Sequence, residues 1–250
     1  MMFFSANKSD ATKDFYNDLV DGKVSRGLWG KEKRFSPESI AVKPSVFRYF
    51  TSVVNKYISK ADNVLDLGCG PGGFLTIISN ICGKIVGTDI TPNFIEESKK
   101  LIQEKQLKNA SAVLVESGEI PFPDSEFDRI VMVDVIHHLG NADETMDEVY
   151  RILKKDGFLL IFEPNKLNPL LYLMCCLDKN ERGLLRLGTK RKYRQLIGER
   201  YEVVSQQFNG LLIGPEGKLS LFLADICCSS KLSPILSWLS PKIFIAARKK

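Results

Sequence analysis

Four glycines crowd one turn of the sequence Val64–Phe74, VLDLGCGPGGF: Gly68, Gly70, Gly72 and Gly73. They follow a short apolar run and precede a helical stretch. Glycine permits a tight turn and lets a ligand approach the backbone closely. The helix beyond it offers N–H groups that have no intrahelical partner. Such a turn is suited to holding a polar cofactor group. Asp66 stands two residues before Gly68. Asp89 ends the next apolar run, IVGTDIT, nineteen residues after Gly70. A carboxylate at that place can accept both hydroxyls of a ribose, or it can serve the helix start at Thr91. Gly68, Gly70 and Gly73 also satisfy G-x-G-x-x-G, the dinucleotide fingerprint, and the Asp89 spacing suits any adenine nucleoside cofactor.

Asp66 separates the readings. A pyrophosphate would meet its carboxylate, whereas a cation would be attracted to it. S-adenosylmethionine (SAM) carries an ammonium and a sulfonium. The pattern Asp66-x-Gly68-x-Gly70-x-Gly72 resembles the first motif of class I SAM-dependent methyltransferases. The segment Glu116–Leu139, ESGEIPFPDSEFDRIVMVDVIHHL, resembles the type 11 subgroup, in which an acidic residue precedes a triplet like Ile120-Pro121-Phe122. The turn Leu153–Gly157 and the run Phe162–Asn165 fit the same family. The resemblance covers roughly residues 45–165. It implies a Rossmann-like, doubly wound, mainly parallel seven-stranded sheet with SAM as cofactor and S-adenosylhomocysteine as product. It implies cofactor contacts from Asp66, Gly68, Cys69, Gly70, Gly72, Asp89, Ile90, Glu116, Ser117 and Asp134, with Glu119 competing for the adenine end. It also sets Asp134–His138 at the border between the methionine end and the acceptor.

His137 and His138 are the chain's two histidines. Either is a candidate base for a hydroxyl acceptor; the plainer use of both is packing and backbone bonding. The first reading is SAM-dependent methyl transfer to a small-molecule acceptor, apolar or anionic. An NAD-dependent oxidoreductase using Gly68, Gly70 and Gly73 is the alternative enzyme. A SAM-binding protein without turnover is the alternative of another class.

These residues need elements to position them. Apolar runs at Asn63–Leu67, Lys84–Asp89, Ala112–Val115, Phe127–Val135 and Gly157–Phe162 predict strands. They alternate with helical stretches at Phe74–Cys82, after Thr91-Pro92, and after Asn141, where Glu144 completes a capping pair. Continuous apolar strands alternating with helices indicate a parallel sheet covered on both faces. A helix over Ser45–Ser59 precedes them. Helices over Asn168–Leu187 and Leu219–Cys228, a strand region Tyr201–Ile213 and a last strand Ile243–Ala247 follow. The expected organisation is an N-terminal arm or lid (1–44, with Trp29 and Phe35), a cofactor-binding core (45–165), and an acceptor-side helical insertion with the last strands (166–250).

The chain has 250 residues, 44% hydrophobic and 26% charged, which suits a globular domain and not a disordered or fibrous chain. Its six cysteines (Cys69, Cys82, Cys175, Cys176, Cys227 and Cys228) form no CxxC pair, so neither a zinc site nor a disulfide scaffold is expected. A reducing cytoplasm is the expected setting. The start, MMFFSANKSDATKDF, lacks the apolar core of a secretory signal. Charge is uneven: residues 1–165 hold 20 basic and 24 acidic side chains, and residues 166–250 hold 15 and 6. The basic segment Arg182–Arg194 reads as a solvated lid face, or as a surface for an anionic acceptor or a membrane. Its only aromatic residue is Tyr193, which argues against nucleic acid. The apolar stretch Leu167–Leu177 allows peripheral membrane contact but is too short to span a bilayer. The oligomeric state is left open.

Overall fold

The computed structural model describes residues 44–116, 120–177, 183–209 and 238–250, with residues 13, 14, 17, 18, 218, 222 and 226. Seven strands form one sheet: β1 Asn63–Leu67, β2 Lys84–Asp89, β3 Ala110–Leu114, β4 Phe127–Val133, β5 Leu153–Pro164, β6 Tyr201–Asn209 and β7 Lys242–Lys249. Their order is β3-β2-β1-β4-β5-β7-β6. β1 to β5 pair in parallel, and β7 runs antiparallel to both β5 and β6.

The alternation of side chains along each strand builds two cores. Val64, Ile85, Val131, Leu160, Phe162, Phe244 and Ala246 face one side. Helices α1 (Pro44–Val54), α2 (Gly73–Ser79) and α3 (Pro92–Glu104) contribute Phe50, Leu75, Ile78 and Ile95 there. Phe50 stacks at an angle on Phe74 and Phe162, with ring centroids 4.5 and 5.2 Å away. On the other side, Leu65, Val86, Ile130, Met132, Leu159, Ile161, Ile243 and Ile245 meet α4 (Ala142–Ile152) and α7 (Lys190–Ile197). Two short helices, α5 (Pro169–Leu177) and α6 (Gly183–Leu187), come between β5 and α7.

Local chemistry explains the helix starts. Asn141 accepts from the Glu144 N–H at 3.4 Å, so the expected cap of α4 forms. At α3, Thr91 is the cap residue but its side chain makes no cap bond, and Pro92 supplies the preset first position.

Some expectations shift. β3 is an edge strand with Val113 and Leu114 exposed, so its apolar run is not covered on both faces. β4 stops at Val133 because Asp134 turns into the left-handed region at φ 59°. β5 starts at Leu153: the stretch Lys154–Gly157 is an irregularity inside the strand, with Asp156 at φ 62°. The expected arm 1–44 with Trp29 and Phe35, the helix Leu219–Cys228 and the stretch 210–213 lie outside the described residues, apart from the residues named above.

Candidate functional site

The glycine turn is built on positive backbone angles: φ is 75° at Gly68, 54° at Gly70 and 89° at Gly72. L side chains rarely adopt such angles. An added Cβ at Gly68 would lie 2.5 Å from a Val135 methyl, and one at Gly72 would lie 3.0 Å from the Ser98 hydroxyl. At Gly70 it would meet nothing within 4 Å. Gly68 and Gly72 are therefore glycines because the protein fills the space, while Gly70 faces open space.

Several elements hold the turn in place. The N–H groups of Gly68 and Cys69 donate to Thr88 O at 2.7 and 2.9 Å. Ser98 of α3 donates to Gly70 O at 2.8 Å. Asp89 accepts from Gly70 N at 3.0 Å and, through its other oxygen, from Thr91 N at 2.9 Å. One carboxylate thus fixes both the turn and the start of α3. A carboxylate has about four lone-pair sites, so Asp89 retains acceptor capacity for a ribose. Ile90 is half-buried beside it.

Asp66 is different. It is 1% exposed, and its Oδ2 is buried without a hydrogen-bond partner. Burial, then repulsion from Asp89, pushes its pKa up to about 7. Burial also pushes Asp89 up, opposed by the N–H groups of Thr91 and Gly70. The Cys69 thiol is pushed up well above its ordinary value by burial, and then by Asp66 and Asp89. It is therefore a packing group rather than a nucleophile. Glu116 is exposed, two residues beyond β3, and the bond from Val115 N to Asp89 O at 3.1 Å keeps its segment beside the end of β2. Ser117 and Glu119 lie outside the described residues.

The segment after β4 closes the other side. Val135 packs on Gly68, so this segment abuts the glycine turn between β1 and β4. That gap is the point where strand order reverses and where open α/β sheets bind ligands. Here the polar groups serve each other. Glu163, fully buried at the end of β5, accepts from Val135 N at 2.7 Å, Ile136 N at 2.8 Å and His137 Nδ1 at 2.7 Å. The Tyr193 hydroxyl of α7 lies 3.5 Å from it. Burial and the Glu163 charge push the Tyr193 phenol up, so it stays a donor. Buried Lys242 of β7 pairs with Asp134 Oδ1. His138 is half-buried and stacks on His137, with ring centroids 3.9 Å apart.

Asp66, Gly68, Cys69, Gly70, Gly72, Asp89 and Ile90 thus lie together, with Asp134, His137 and His138 across the gap. Sequence reasoning missed Ser98, Tyr193 and Lys242 and treated Glu163 only as part of a strand. A carboxylate closing a buried apolar run, in a chain whose histidines are adjacent, is the signal that could have pointed to Glu163.

The residues fit SAM. A partnerless buried carboxylate oxygen suits a cation, Gly70 leaves room at the backbone, and Asp89 has acceptors to spare. The strand order separates the fold from the usual dinucleotide order 3-2-1-4-5-6: β7 enters antiparallel between β5 and β6.

Comparisons with known proteins agree. The family described as "Methyltransferase domain" matches residues 58–202. Demethylmenaquinone methyltransferase of Symbiobacterium thermophilum is 28% identical over 119 residues, 46% of this chain and 47% of that protein. The ubiquinone/menaquinone biosynthesis C-methyltransferase UbiE of Vibrio cholerae is 29% identical over 160 residues, 62% and 54% of the two chains. The chain spans about half the length of the curated relatives it matches. Among solved structures, geranyl diphosphate C-methyltransferase from Streptomyces coelicolor superposes with a TM-score of 0.61 at 14% identity, covering 97% of this chain and 98% of that one. With more than half of its length matched by the family and a sheet of the same fold, this chain belongs to the methyltransferase domain family, among the class I SAM-dependent methyltransferases.

Proposed function

We propose that this protein transfers a methyl group from SAM to a small-molecule acceptor that is apolar or anionic. The observation that carries the reading is the buried, partnerless Asp66 Oδ2 beside a left-handed glycine turn at the switch point of the sheet. When bound, SAM supplies an electrophilic methyl group on a good thioether leaving group, so the protein's share is orientation and electrostatics.

Each residue has a part in this reading. Asp66 meets the positive charge of the methionine end, and Asp89 accepts from the ribose. Gly68, Cys69, Gly70, Gly72 and Ile90 shape the cradle, with Glu116 and Ser117 at the adenine end. Asp134 lies toward the methionine end, oriented by Lys242. For an acceptor whose proton must leave, the half-buried His138 is the imidazole open to it. His137 stands behind, held by Glu163. Residues 45–165 act as the cofactor core, and the described part of 166–250 as the acceptor side. The quinone-pathway names of the relatives, and the geranyl diphosphate of the structural neighbour, favour an acceptor with a prenyl-like tail.

Among the described residues no helix is long and apolar enough to cross a membrane. We place the protein in the cytoplasm, with peripheral membrane contact; the free thiols of Cys69, Cys82 and Cys176 suit a reducing compartment. The test is incubation with methyl-labelled SAM and a panel of prenylated quinols, prenyl diphosphates and polar amines. Label appearing only in a prenylated product supports the reading; label only in amines overturns the acceptor class.

A further inference from the structure

Helix α5 presents an unusual surface among the described residues. Its sequence PLLYLMCCL holds no charge, yet most of it faces outward. Leu170, Leu173 and Leu177 are 58%, 56% and 66% exposed. They recur at i, i+3 and i+7, so they form one stripe. Tyr172, 52% exposed, and exposed Cys176 form the adjacent stripe at i, i+4. Cys175 is the buried side. Trp238, also exposed, is held at the root of this helix because its carbonyl accepts from Asn165 at 2.7 Å. An apolar arc of this width with two amphipathic aromatics is abnormal for a surface bathed in water.

Cationic groups lie at its root and on the two helices that follow it. Lys166 precedes α5 and ties its root to α6, donating to Leu185 O at 3.0 Å through its ammonium. Arg186 of α6 and Arg191, Lys192 and Arg194 of α7 are exposed. Residues 166–198 hold eight basic and two acidic side chains. Arg186 reaches Leu139 O at 3.4 Å, so α6 borders the turn that carries His138.

We propose that α5 and Trp238 dock the protein on an anionic bilayer surface, with the apolar stripe in the acyl boundary and the α6–α7 cations over the headgroups. Apolar side chains, interfacial aromatics and flanking cations are the three features such docking uses. A second copy is disfavoured as the occupant, since it would bring two basic rims together. A phosphate backbone offers nothing to the leucines. The inference deepens the peripheral contact proposed above and does not rest on methyl transfer. If an apolar acceptor resides in the bilayer, the same face brings it to the side of the sheet where His138 lies.

The test is cosedimentation of the full chain with vesicles of phosphatidylglycerol and phosphatidylcholine in equal parts, against phosphatidylcholine alone. SAM titration runs in parallel. The wild type should bind the anionic vesicles at low salt, release at high salt and ignore the neutral ones. Leu170→Ser with Leu173→Ser should weaken vesicle binding at least about tenfold and leave SAM affinity unchanged. Tyr172→Ser with Leu177→Ser is the second pair, which keeps the test valid if the first pair fails to fold. No capture by anionic vesicles, equal capture of both variants, self-association that the variants abolish, or capture by single-stranded RNA instead of vesicles would each overturn the proposal. Loss of SAM binding in the wild type would sink the methyltransfer reading and leave the docking result standing.

Discussion

Two sets of polar groups face each other across the gap between β1 and β4, and they are finished to different degrees. On the β4–β5–β7 side, the buried polar groups find one another: Glu163 with His137 and two backbone N–H groups, and Lys242 with Asp134. On the β1–β2 side, Asp66 keeps a buried oxygen without a partner, and Gly70 looks onto open space. A buried carboxylate without a counter-charge is costly. A fold that keeps one beside an open cradle is shaped for a positively charged ligand. In the proposed reading the completed half holds the shape, and the incomplete half receives the cofactor.

Removing Asp89 should do the largest damage to binding. Asp89→Ala deletes the proposed ribose acceptor and releases Gly70 N and Thr91 N together. Charge-assisted bonds contribute about 1.5–3 kcal/mol each, so SAM affinity should fall about a hundredfold or more in calorimetric titration. The opposite side should respond in stability instead. Glu163→Gln keeps one acceptor oxygen but loses the charge that the His137 and backbone N–H groups bond to, and should cost about 1.5–3 kcal/mol in denaturant unfolding, while SAM affinity changes less than about threefold. A large affinity loss in that variant would erase the contrast between the two halves.

The glycines sharpen it further. Gly70→Ala should leave stability within about 1–2 kcal/mol, the cost of its left-handed angle, yet lower SAM affinity about tenfold because the methyl enters the cradle. Gly68→Ala should reverse the order, since its Cβ would strike Val135, and lose more in stability than in any local binding effect.

The smallest expected effect is the most diagnostic. Asp66 is pushed up to about 7 in the folded protein, so the folded state holds a proton that the unfolded chain releases near pH 4. Ligand-free stability should therefore fall as pH rises from about 4 through 7 and level off above. Asp66→Asn should flatten that slope, raise Tm at pH 8 by about 5 °C, and weaken SAM binding. A variant with an unchanged slope would show that Asp66 is not the titrating group.

Much of the incomplete half was legible in the sequence. Asp66, the glycines and Asp89 lie on short strand ends, so local spacing sets their geometry. Five of the seven strands (β1, β2, β4, β5 and β7) announced themselves as apolar runs because both of their faces are covered. β3 misled for the same reason in reverse, since an edge strand carries apolar residues that remain exposed. The start of β5 was hidden by the Lys154–Gly157 irregularity, which reads as a turn. The completed half was hardly legible. Lys242 meets Asp134 across 108 positions of sequence, and Tyr193 meets Glu163 across 30. Such pairs arise from the order in which strands enter the sheet, and no local pattern records them.

The central claim is that the β1–β2 side holds SAM. It is tested most directly by titrating the protein with SAM, S-adenosylhomocysteine and NADH in parallel at pH 8, with Asp89→Ala as control. The account predicts one-to-one binding of both adenosyl ligands, lost in the variant, and no heat from NADH. Binding of NADH without the adenosyl ligands, or SAM binding that survives Asp89→Ala undiminished, would contradict it.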